Sequence, residues 1–243
     1  MGRAQSGEAG RMKAHQRIIR EKFAAAGDDH HLLGLDTSPQ NARFCEISHK
    51  EARVIIKKYE WLGSYCNAPI AAFGIFWSGE CGGVVVYGAP SPPIVARSAL
   101  GKDAAKEVCQ LARGACVHWA HPHAASMLIA YSTRQMGAKG MRLAVAYCDP
   151  DAGEIGTVYQ AANWSYCGLS AKRPDYFDAN GKRMVGHFQV AGLTRGLRTR
   201  KYKYVTFLGP KSRQRQTRKL LRWQIEPDYP KRGPSNGRAN SNS

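Results

Sequence analysis

The chain alternates between short apolar runs and polar or turn-forming stretches, and the runs are of two kinds. Residues 71–77 and 82–88 are rich in β-branched and aromatic side chains and are separated by Ser78-Gly79-Glu80, which reads as strand, tight turn, strand. Residues 108–117, 142–148, 164–169 and 202–208 supply further strands, the second of them stopped by Asp149-Pro150. Ala124–Ala138, by contrast, is apolar on nearly every face, as a helix packed against a sheet should be. Ser48 and Glu51 stand at capping-box spacing, so a helix starts there and runs to about Tyr59. Residues 153–163 and 211–221 read as two more helices, and Asn180-Gly181 signals a type I′ hairpin between Tyr176-Phe177 and 183–185. The prolines of 89–101 mark a loop.

This order of elements predicts an α/β domain with a mixed central sheet flanked by helices. Residues 1–44 read as a flexible N-terminal arm with room for a short helix over 12–26, residues 45–231 as the domain, and 232–243 as a disordered tail rich in Pro, Gly and Ser. Two strand-to-helix junctions, near 117–126 and 148–156, open on the same side of the sheet, where ligands bind in such folds.

Charge changes the picture. Thirty-six Lys and Arg against eighteen Asp and Glu leave a formal +18 on 243 residues, more than solubility requires, and it points to a polyanion. Sixteen basic and three acidic residues fall in 176–243, which makes the end of the domain a basic strand–helix extension. Arg195, Arg198, Arg200, Lys201, Lys203, Lys211, Arg213, Arg215, Arg218 and Lys219 are the candidate phosphate contacts, interleaved with Tyr202, Tyr204 and Phe207. No apolar run reaches the ~18 residues of a membrane span, and the seven cysteines show no CxxC pair. The expectation is a soluble cytoplasmic protein with reduced thiols.

Three constellations could carry chemistry. Arg113-Gly114 leads by way of a strand end to a helix start at Ala124-Ala125-Ser126, whose free N–H groups can hold an anion such as a pyrophosphate, although many helices simply begin this way. Cys116, His118, His121 and His123, with Cys109 nearby, are dense in ligand atoms for zinc or iron, yet their spacing matches no standard finger. Cys116 near three histidines also admits a thiol nucleophile. Asp149 at a strand end, with Tyr159 and Asn163 four apart on the following helix, can supply a carboxylate base, a phenolic acid and an amide orienter, or merely helix caps. Trp61 is either core or a platform for stacking a base.

The blocks YEWLG (59–63), FGIFWSGECGGVVVYG (73–88), 111–129, YCDPDAGEIGTVYQAANWSYCG (147–168) and 201–231 together resemble the Mom-type DNA-modification proteins of phage Mu and its relatives, themselves similar to the GNAT acyltransferase superfamily. The YxDxxxGxxGxxYQAxNW pattern is the specific one; the other blocks are supportive. The resemblance implies a GNAT-like fold, acetyl-CoA or a related acyl donor, double-stranded DNA as partner, and an adenine bearing a carbamoylmethyl, acetamido-type group on N6 that shields phage DNA from restriction. It places the family's functional Ser, Asp and Tyr on Ser126, Asp149 and Tyr159, and its early His-Tyr motif near Tyr59 and Trp61. The acyltransferase phosphate signature is not matched, only Ala112-Arg113-Gly114-Ala115 standing in its neighbourhood. An N-acetyltransferase for a protein, tRNA or small amine, and a non-catalytic basic DNA-binding module, are the competing readings, and a homodimer is left open.

Overall fold

A computed structural model describes residues 15–27, 34–179, 183–184 and 193–231. Its centre is a seven-stranded sheet in the order β1-β2-β3-β4-β5-β10-β6. The strands are β1 (Arg43–Ile47), β2 (Pro69–Trp77), β3 (Glu80–Gly88), β4 (Val108–Cys116), β5 (Leu143–Cys148), β6 (Ser165–Leu169) and β10 (Tyr202–Phe207). All neighbours are antiparallel except β4 and β5, which are joined through helix α4 (Ala124–Ala138). The mixed sheet flanked by helices is therefore as the sequence pattern predicts. β7 (Arg173–Phe177), β8 (Arg183–Met184) and β9 (Thr194–Arg198) form a separate three-stranded sheet. β7 and β8 do pair as the hairpin signal predicts; Asn180-Gly181 itself lies outside the described residues.

Alternate residues of β5 divide between two cores. Ala144, Ala146 and Cys148 join α2 (His49–Tyr59), α4 and the β2–β4 strands, while Leu143 and Val145 join α3 (Ile94–Leu100) and the partly buried Leu221, Trp223 and Ile225. A strand covered on both faces has no polar side to show, which is why 142–148 reads as a continuous apolar run. Helix α3 occupies the stretch read as a proline loop: Pro93 sits at its N-cap, where a missing N–H costs nothing. The helix expected over 153–163 shrinks to α5 (Thr157–Ala161), because Gly153 and Gly156 take left-handed φ of 70° and 79°.

The capping box of α2 forms as its spacing predicts. Glu51 N–H donates to Ser48 Oγ, and Ser48 N–H to Glu51 Oε2. Ser48→Ala is expected to lower stability by about 1 kcal/mol in urea unfolding; an unchanged midpoint would show the cap to be redundant.

The stretch read as a flexible arm contains α1 (His15–Ala26), which docks on α2. Gln16 Nε2 donates to Tyr59 O, Phe23 packs on Tyr59 with ring centroids 4.6 Å apart, and Arg20 donates to His118 O. α6 (Lys211–Leu220) follows β10 and buries only Thr217. Residues 1–14 and the tail 232–243 lie outside the described residues.

Candidate active-site cleft

β4 and β5 are paired over only three positions, Val108, Cys109 and Gln110 opposite Leu143, Ala144 and Val145. Beyond them the two parallel strands part, and a cleft of about 690 Å³ opens between their C-terminal ends. One wall is β4 from Gln110 to Cys116; the other is Tyr147, Cys148 and Asp149, continued by the segment from Glu154 to Tyr159. Glu60 and Trp61, just after α2, and Gln16, Arg17 and Arg20 of α1 also line it. Where β4 has lost its partner, its backbone is free on that side to pair with an extended, amide-bearing ligand.

The chain leaves β5 at Asp149, whose Oδ1 accepts from Asp151 N–H at the start of a 3-10 turn. Gly153 and Gly156 then turn the backbone so that Glu154 and Tyr159 both reach the cleft. Asp149 Oδ2 is 3.0 Å from Lys201 Nζ, an ion pair between the end of β5 and the approach to β10. The Tyr159 ring packs on Trp164 and Tyr204, with centroids 5.1 and 5.5 Å away. No hydrogen bond joins its hydroxyl to another described residue, and burial holds that hydroxyl well above its usual value, with Cys148 and Glu154 adding to the rise. It therefore stays protonated and can donate.

Asp149 and Tyr159 thus share one cleft, as do Arg113, Gly114 and Ala125. Ser126 does not line it: its hydroxyl donates to His123 O at 3.0 Å, closing the first turn of α4. Ala124 is buried in the core. Tyr59 is also core, 3% exposed, and Trp61 donates Nε1–H to Glu154 Oε1 at 3.1 Å. Asn163 falls beyond the end of the short α5, exposed and left-handed at φ 58°, so it no longer shares a face with Tyr159.

Among the described residues no three His, Cys, Asp or Glu side chains gather as a metal would require. Cys116 ends β4, and burial pushes its thiol up to about 12, which also disfavours a thiolate nucleophile. The chain then turns outward, so that His121 and His123 lie at the surface, where His123 N–H donates to His121 Nδ1, while His118 stays at the cleft.

The basic run does not form one surface. Lys201 belongs to the cleft; Arg200 donates to Ser170 O, and Lys203 lies 4.5 Å over the Trp223 ring. Arg218, though exposed, covers Phe207, and Arg213 is half-buried beside Gly209. Exposed Lys211, Arg215 and Lys219 on α6 and Arg195 on β9 remain as outward cations, while Arg198 is half-buried. Arg195 stands opposite exposed Tyr176, and Arg198 opposite Arg173.

Sequence reasoning missed Glu60 and Glu154. Both are buried carboxylates of the cleft, and burial pushes Glu60 up to about 7 and raises Glu154. They lie in the two recognised motifs but nearly a hundred residues apart, and no local pattern announces that they meet.

The model of the Mom protein family matches residues 41–189. No curated protein matches the chain in sequence. Solved structures similar to it include the ribosomal-protein-S18-alanine N-acetyltransferase of Escherichia coli, 6% identical with a TM-score of 0.42 over 70% of this chain and 95% of that one. An N-acetyltransferase of Staphylococcus aureus Mu50 is 14% identical with a TM-score of 0.42 over 69% and 98%. A Bacillus subtilis acetyltransferase in complex with CoA is 10% identical with a TM-score of 0.41 over 69% and 98%. Among the described residues no helix is long and apolar enough to cross a membrane.

Proposed function

Because the chain belongs to the Mom protein family, we propose that it is a transferase that places an acyl-derived, carbamoylmethyl or acetamido-type group on N6 of adenine in double-stranded DNA. The observation that carries the reading is the cleft where β4 and β5 part, with the Asp149–Lys201 pair and the protonated Tyr159 hydroxyl in its walls. The unpaired edge of β4, with Arg113, Gly114 and Ala125 beside it, suits the extended amide arm of an acyl-CoA. Arg17, Arg20 and His118 line the same cleft and fit its anionic end.

The N6 nitrogen of adenine is a poor nucleophile, because its lone pair is delocalised into the ring. In the proposed site Asp149, held in place by Lys201, accepts a hydrogen bond from the amino group and aims the nitrogen, while Tyr159 donates to the departing atom. Reaching these groups requires the adenine to leave the stack, at a cost of a few kcal/mol. The outward cations of α6 and β9 would offset that cost by binding phosphates, so affinity should fall steeply with salt.

Co-expression with a plasmid, digestion to nucleosides and mass spectrometry tests the reading. A heavier deoxyadenosine and plasmid resistant to restriction are expected with the native chain, and at least tenfold less with Asp149→Asn. Unmodified adenine would sink the reading. An acetylated amine elsewhere would then favour the N-acetyltransferase alternative, and salt-sensitive binding alone the DNA-binding module.

A further inference from the structure

The β6–β10 pair does not stop with the main sheet. Leu169 stands opposite Tyr202, and Tyr202 in turn opposite Cys148, the last residue of β5, so this is the end of the sheet at which the cleft opens. Ser170 N–H then donates to Lys201 O, Lys201 N–H to Ser170 Oγ and Arg200 Nε–H to Ser170 O. Arg173 and Arg198, four positions along each strand from Leu169 and Tyr202, are again opposite one another, and the pairing runs on to Phe177 and Thr194. The register is unbroken, so β7 and β9 prolong one two-stranded ribbon from the rim of the cleft. At strand spacing, Leu197 stands up to roughly 13 Å from Lys201, the partner of Asp149, and Arg195 up to roughly 20 Å.

The two faces of this ribbon are unlike. On one, the Phe177 ring lies over Gly196, where a methyl group would come within 2.8 Å of it, and Phe177 and Arg198 are half-buried. On the other, Pro174 opposite Leu197 and Tyr176 opposite Arg195 are all exposed. Leu197, at 65%, is the most exposed large apolar side chain among the described residues. Apolar side chains gathered on an open face and rimmed by charge mark a contact surface. Seven Lys or Arg against two Asp fall between 172 and 200, so the partner that matches this surface is a polyanion with an apolar interior. Duplex DNA, with phosphates outside and stacked bases within, is such a partner.

On the reading that adenine in duplex DNA is the substrate, we propose that the β7–β9 ribbon lies in the major groove beside the target and that Leu197 enters the stack as the adenine leaves it. A major groove about 12 Å wide admits a two-stranded ribbon. Apolar side chains driven between base steps hold a duplex unstacked, and the reach from Lys201 sets Leu197 about one groove width from the Asp149 pair. Exposed Arg173 and Arg195, one on each strand, reach phosphates on the two sides of the groove and fix the register of the ribbon. The Tyr176 ring, on the same face as Leu197, offers a stacking surface to the adjoining base.

The test uses the full chain without donor, and DNA duplexes in which 2-aminopurine, fluorescent when unstacked, replaces one adenine at a time. With saturating native protein at least one position should brighten several-fold. Leu197→Ala should cut that rise at least fivefold with its urea midpoint unchanged, because the side chain is exposed. Leu220→Ala, which removes another exposed leucine on α6, should keep the rise. Arg173→Gln combined with Arg195→Gln should flatten the slope of log affinity against log salt by about two. No brightening by the native chain, native brightening in Leu197→Ala, or an unchanged salt slope in the arginine pair overturns the proposal. Duplex RNA competing on equal terms overturns it too, since the narrow major groove of A-form RNA does not admit the ribbon. A dimer that Leu197→Ala dissolves and DNA leaves intact would assign the face to a second copy of the chain instead. Brightening by a native chain that never yields a heavier deoxyadenosine overturns the modification reading alone. Modified adenine together with native brightening in Leu197→Ala overturns the ribbon alone.

Discussion

Tyr159→Phe is expected to slow the transfer by about two to three orders of magnitude while leaving the protein folded. The separation follows from how the side chain is used. Its ring is 9% exposed and gripped by Trp164 and Tyr204, and Phe keeps all of that contact. The hydroxyl makes no hydrogen bond to another described residue, so its loss should change stability by less than about 1 kcal/mol. What disappears is a donor that burial keeps protonated across the working range. For the same reason this group should add no alkaline limb to the native pH profile below about pH 10. Steady-state rates and urea unfolding of the two chains together check the claim. A Phe variant with native turnover would remove Tyr159 from the chemistry, and one that unfolds readily would make it a structural residue.

Gly156→Ala should cost about 3 kcal/mol and lower the melting temperature by roughly 10 °C. Part of the loss, about 1 kcal/mol, is the penalty of a side chain in the left-handed region at φ 79°. The larger part is steric. A methyl group there would lie 2.6 Å from Cζ and 2.8 Å from the hydroxyl oxygen of Tyr204. That ring is fully buried, its hydroxyl donates to Ile155 O and accepts from Gln160 Nε2, and it has nowhere to retreat. Since Gly156 also starts α5, any relief pushes Tyr159 out of the cleft wall, so activity should fall with stability. Gly140→Ala is the matched control: φ is +90° there with open space around it, so only the conformational penalty of about 1 kcal/mol applies. Equal losses at the two glycines would refute the packing argument.

Local chemistry explains why so much of the frame could be read in advance. The capping box at Ser48 and Glu51 and the β2–β3 hairpin depend on residues a few positions apart, and so does the continuous apolar character of Ala124–Ala138. The Asp149-to-Tyr159 block was legible for the same reason: one turn and one short helix carry both groups to the cleft. The helix over 153–163 was overextended because two glycines adopt a backbone that apolar spacing does not report. The α3 helix was hidden by prolines that stand before it rather than inside it.

The sequence by itself determined the family, the mixed sheet, the strand end that carries Asp149 and the excess of positive charge, because each is written in motif, periodicity, turn residues or composition. Only the tertiary structure decided who faces the cleft. The divergence of β4 and β5 after three paired positions brings Glu60, Glu154, Lys201 and α1 to Asp149 and Tyr159. The same packing turns Ser126 back to His123 O and leaves Asn163 outside. Burial and contact between residues such as Trp61 and Glu154, ninety-three positions apart, arise when separate elements pack, and that is where the altered acidities arise as well.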